Sequence, residues 1–283
     1  MSARLIRLVY LRLASALQLC PKWTCNNVQK YFAILSKKGL QKTNQLIFQK
    51  QSDDFIYKNY QKYHDFMRFE GQLPKFNINY RKATKDIFAN VRYINNEYIL
   101  SVDPLLCKTK FAIPTLYHEF THIYDDIIMA SLSPEISRNN AYIYHAYTEY
   151  HASQVEMMVK MGATSLWGTI NNSVSSDDLF KSLLKQKEDF AHRSADLDLS
   201  LKENFSKAID CFCYYTGKVN AYLHYYNTGS DELLDLFEFV HRFGNEIVKM
   251  QEVLFRCDIT NIKISDIYEV ADAHLAVMHK HIY

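Results

Sequence analysis

The chain has 283 residues, of which 48% are hydrophobic and 23% charged, a composition that excludes a disordered protein and allows a large buried core. With only 7 Gly and 5 Pro it does not read as a turn-rich β-sandwich, so a mostly helical build is expected, its 21 Tyr and 17 Phe serving chiefly as core. A net charge of +2 is too balanced for a nucleic-acid binder.

Six cysteines, at 20, 25, 107, 211, 213 and 257, form neither a disulfide framework nor a zinc-ribbon spacing, which suggests free thiols in a reducing, cytoplasmic compartment.

Residues 1–52 carry nine Lys or Arg and no acid, leaving −7 for the remainder. They read as a basic helical segment set apart from a single domain over 53–283. Within it, Arg4, Arg7 and Arg12 interrupt the apolar run of residues 1–20, so that run suits neither a membrane span nor a secretory signal. It reads as a leader or a segment packed on the body, with peripheral membrane contact as the alternative.

Helices are expected over 26–39 and 53–69. Period-two alternation then marks a strand over 76–80, and runs at 91–94 and 97–102 flank Asn95-Asn96 as a hairpin. Further helices are expected around His118, over 136–161, and at 177–191, 201–226, 231–256 (kinked at Gly244) and 265–281, with Ser230 and Ser265 as caps. The fold class is therefore α+β and predominantly α-helical. A core over 76–162 pairs a small sheet with two helices, and a helical C-terminal subdomain spans 177–283.

The helix around His118 contains His118-Glu119-Phe120-Thr121-His122. A chain of this composition would hold about 0.02 such patterns by chance. On a helix the two histidines share one face, and that face lies opposite an apolar stripe of Ile113, Leu116, Tyr117, Phe120, Ile123, Tyr124 and Ile127. Two imidazoles one turn apart can bind one Zn²⁺, with Glu119 placed to act as a base on a water. Asp125 or Asp126 can accept the outward N–H of a ligand histidine.

A third ligand must come from another element, and the metzincin form is excluded because Ile128 stands where its third histidine would be. On the next helix His145, Glu149, Ala152 and Glu156 share a stripe. Glu149 is the preferred ligand, since small Ala152 beside it lets helices approach and a buried carboxylate needs a cation. His145 and Glu156 remain as alternatives or supporting groups.

A short strand, this pentapeptide and a glutamate on the following helix resemble the zincin metallopeptidases of gluzincin type. The active-site helix, with Asp126 four residues on, is similar to that of thermolysin-like enzymes. Glu149-Tyr150-His151-Ala152 is similar to the Glu-x-x-Ala of small intracellular zincins of the ImmA/IrrE-like kind. The resemblance implies His118, His122 and Glu149 as zinc ligands and Glu119 as general base. It further implies a protein or peptide substrate paired along the strand near Tyr98–Val102. Ser153 stands where some of these families have Asp. Tyr214, Tyr215, His224 and His241 are candidates for oxyanion stabilisation. Other functional classes consistent with the sequence are an inactive zincin-like binding module and a membrane- or nucleic-acid-associated protein using the basic N-terminus.

Overall fold

Phe76, Ile78 and Tyr80 turn inward along the first strand while Asn77 and Asn79 face solvent, the alternation a half-covered sheet requires. The computed structural model describes residues 49–83, 88–133, 141–171, 174–195, 197–226 and 230–282. The readings made for residues 1–20 and 26–39, and most of the basic segment, lie outside these.

Three strands, β1 (Phe76–Tyr80), β2 (Ala89–Ile94) and β3 (Glu97–Val102), form a mixed sheet in the order β1-β3-β2. The β2–β3 hairpin turns at Asn95 and Asn96, whose φ angles of 52° and 65° are the left-handed values that Asn tolerates and a two-residue hairpin needs. β1 joins the other side of β3 in parallel.

Around the sheet lie α1 (residues 49–67), α2 (Ala112–Leu132) and α3 (Ala141–Lys160), followed by α4 (Ser176–Ala195) and α5 (Lys202–Tyr226). Three short or medium helices follow, α6 (Ser230–Leu234), α7 (Phe237–Phe243) and α8 (Glu246–Arg256), and then α9 (Ile264–Ile282). The protein is thus α+β and predominantly helical, and Asp54–Tyr283 makes one compact unit.

The single helix expected over 231–256 is broken twice. Asp235 accepts the N–H of Phe237 on its side chain, which competes with helix continuation, and Gly244 takes φ 85° and ends α7. Ser265 does not cap α9. Asp266 reaches back to the Lys263 N–H at 3.1 Å, the return half of a capping box.

α2 is packed on both sides. Leu116, Phe120 and Ile123 are fully buried, and an edge-on Tyr63 ring and the tilted rings of Phe76 and Tyr117 close around Phe120 at 5.6–6.3 Å between ring centroids. Each such side chain contributes about 1.5–3 kcal/mol by leaving water. Ile113, assigned to this stripe by periodicity, is 38% exposed because it lies in the first turn. Asp125 is buried on the opposite side, since α3 lies along it, and Thr121 is buried on the flank, where it accepts from the Tyr63 hydroxyl of α1. α5 then packs on α3 at Gly217, where an added Cβ would sit 2.2 Å from the Tyr150 carbonyl oxygen. Only glycine allows this approach.

Candidate metal centre

α2 and α3 bring His118, His122 and Glu149 together, with one ligand atom from each lying within 4.8 Å of the others. His118 Nε2 is 3.7 Å from Glu149 Oε2, and His122 Nε2 is 3.5 Å from Oε1. These spacings are too long for hydrogen bonds and close to the roughly 3.3–3.4 Å edge of a tetrahedron with bonds of ~2.0–2.1 Å to zinc. The side chains keep 12%, 17% and 20% exposure, enough for a small molecule to reach them.

The outward nitrogens face a second set of groups, Thr148 by a hydrogen bond to His122 and Glu156 as a carboxylate 3.4 Å from His118. Thr148 Oγ1 donates to Asp125 Oδ2 at 2.7 Å, so it must accept at 3.0 Å from His122 Nδ1–H. The His122 proton is thereby placed on Nδ1, and a lone pair at Nε2 faces Glu149. Asp125 is itself held by His151 Nδ1 at 2.7 Å. On the other side His118 Nδ1 faces Glu156 Oε2 at 3.4 Å, while Glu156 Oε1 is bound by Lys218 Nζ at 2.8 Å and the Tyr214 hydroxyl at 2.9 Å. A lone pair at His122 Nε2 and the Glu149 carboxylate face one another, and with His118 deprotonated at Nε2 the three atoms make an imidazole, imidazole and carboxylate donor set that fits Zn²⁺.

The charges follow from burial and pairing. Burial keeps His122 neutral, down to about 4. For His118 burial opposes the charge, but Glu149 and Glu156 outweigh it and lift the group to about 10. Glu149, disfavoured as an anion by burial, is nonetheless held below the usual carboxylate range by His122 and His118. Glu119 is buried, and loss of hydration pushes its carboxyl up to about 7, where a proton acceptor and donor near neutrality is best placed. Its Oε2 accepts the Val91 N–H of β2 at 2.7 Å.

The remaining sequence-derived candidates separate cleanly. His145 pairs with Asp210 at 2.8 Å and is not a ligand. Asp126 accepts from the hydroxyls of Tyr98 and Tyr144 and so fastens α2 to β3 and α3, whereas Asp125 supports His122 through Thr148. Ser153 bonds its own helix at the Glu149 carbonyl, and Glu156 supplies the supporting carboxylate instead. Of the four oxyanion candidates only Tyr214 is near, its ring 5.7 Å from that of His118. Tyr215 donates to the Leu233 carbonyl, His224 stacks on Trp167 and His241 lies against Phe237.

The strand Tyr98–Val102 is not an edge. β3 is the central strand, paired to β1 and β2 over its whole length, so its backbone has no free side for a peptide. A hairpin shows in the local pattern, but the parallel partner added by β1 has no local signal.

Thr148, His151, Lys218 and the Val91 amide were not legible in advance. Thr148 is adjacent to Glu149, but the role of its hydroxyl depends on how α3 packs on α2, and Lys218 lies 62 residues from Glu156 and carries no local mark. No family model, curated protein or solved structure matches this chain. Among the described residues no helix is long and apolar enough to cross a membrane.

Proposed function

We propose that the chain is a zinc-dependent metallopeptidase of the zincin kind, with His118, His122 and Glu149 as ligands and Glu119 as general base. The observation that carries this reading is the convergence of two imidazoles and a carboxylate, with the outward N–H of His122 bound to Thr148 and the outward nitrogen of His118 facing Glu156. A zinc ion there supplies a Lewis acid that polarises a carbonyl and acidifies water.

The protein's own groups do the rest. Glu119, anchored by Val91 through one oxygen, has its other oxygen for a proton taken from the attacking water and returned to the leaving amine. β2 is an outer strand of the three; its Val91 N–H, which points away from β3, is taken by Glu119, and the remaining outward groups of that strand are where an extended peptide would add.

The test is zinc content together with cleavage of a mixed peptide library by wild type and Glu119→Gln. The expected result is one zinc per chain in both, with cleavage by the variant lowered about 10²–10⁴-fold. Full activity in a zinc-loaded Glu119→Gln protein overturns the assignment of the base. A wild-type protein that binds no zinc overturns the reading as a whole.

A further inference from the structure

We infer that Lys218 is a positioning residue for the metal centre: together with Tyr214 it holds the Glu156 carboxylate that orients His118. The inference rests on the zinc reading above and concerns how tightly the ion is held.

Glu156 has two oxygens with different tasks. Oε1 takes both Lys218 Nζ and the Tyr214 hydroxyl, and with that oxygen fixed Oε2 is left facing His118 Nδ1. Lys218 and Tyr214 are four residues apart and so share one face of α5. The ammonium also lies over the Tyr214 ring, 3.7 Å from its centroid. Gly217 between them allows α5 to reach the α3 backbone, which brings this face to Glu156.

A role limited to gluing helices is poorly served by such a pair. The Lys218 side chain is 9% exposed and that of Glu156 14%, and two charges taken that far from water contribute little or nothing to stability over well-packed apolar groups. What the pair does provide is direction: a carboxylate locked on one side can orient an imidazole on the other, whereas a Leu or Met at 218 cannot. Supporting groups of this type typically change metal affinity by about 10–100-fold when removed.

The experiment measures zinc affinity by chelator competition, alongside thermal melting of the metal-free proteins. Lys218→Met is expected to weaken zinc binding about 10–100-fold, and Lys218→Arg to restore it to within about threefold. In a Glu156→Gln background, Lys218→Met is expected to add less than about threefold, because Lys218 acts through Glu156. If Lys218→Met does not fold, Tyr214→Phe carries the test, with an expected loss of about three- to tenfold from removing one of the two bonds to Oε1.

A folded Lys218→Met protein with wild-type zinc affinity overturns the inference while leaving the metal centre standing. Equal losses with and without Glu156→Gln do the same. Unchanged affinity in Tyr214→Phe overturns it when that variant is the one available. Absence of zinc binding by wild type overturns both readings, and is distinguished from the other outcomes by the wild-type measurement alone.

Discussion

The two histidines of the centre are one helical turn apart and are supported in different ways. His122 is held by a neutral hydroxyl, Thr148, with Asp125 and His151 behind it, all from α2 and α3. His118 faces a carboxylate, Glu156, that depends on Lys218 and Tyr214 from α5. The first arrangement is a chain of hydrogen bonds through Thr148 to Asp125 and His151, supplied by two neighbouring helices. The second is an ion pair that exists only when a distant helix docks. On the proposed zinc reading, affinity for the ion has a local half and a long-range half, which can be broken separately.

The largest effect on the local half is expected from Thr148→Val. The substitution keeps the shape but removes both the acceptor for His122 Nδ1–H and the donor to Asp125 Oδ2, leaving the buried His122 N–H without its acceptor and Asp125 with one bond fewer. Zinc affinity should fall about 10–100-fold, measured by chelator competition. The further loss from Lys218→Met should be additive, because the two supports share no partner. Strong non-additivity would mean that the halves are one unit.

The long-range half can be disturbed without touching a polar group. Gly217→Ala drives a methyl into the Tyr150 carbonyl and must push α5 off α3. An expected cost of about 1–3 kcal/mol should appear as a lower melting temperature, together with weakened zinc binding, whereas the His122 N–H signal in proton NMR should be retained. Loss of that signal would show that the Thr148 side also depends on α5.

The smallest effect is a control outside both halves. His274 in α9 stacks on Phe205, and burial holds its pKa down to about 4 against an ordinary value near 6.5. Above about pH 6.5 both folded and unfolded chains carry it neutral, so it has no effect there. As pH falls from about 6.5 to 4 the unfolded chain binds a proton that the folded one does not, and stability is lost. His274→Phe should reduce the fall in melting temperature over that window, with zinc affinity at pH 7.5 unchanged.

Much of the fold was readable because its signals are local. Strands β1 and β3 lie where alternation placed them, and the Asn95-Asn96 turn has the dihedrals its residues favour. The helix over 231–256 was expected to kink at Gly244, where a positive φ ends it outright; the break at Asp235 has no such mark, because the apolar spacing continues across it while the side chain competes with the backbone. The edge-strand assignment failed for another reason: which side of β3 is covered depends on where β1 docks.

For the candidate centre, the sequence by itself determined that His118 and His122 share a helical face opposite the main stripe, since 3.6 residues per turn permits nothing else once the helix forms. It also narrowed the third donor to one stripe of α3. Only the tertiary structure decided among Glu149, His145 and Glu156, because that choice depends on the rotation of α3 against α2 and the docking of α5. It made Glu149 the converging group, turned His145 to Asp210 and turned Glu156 to His118 and Lys218. The physical reason is reach: helical periodicity fixes direction within one element, whereas a carboxylate's partner is settled by the helices that bury it.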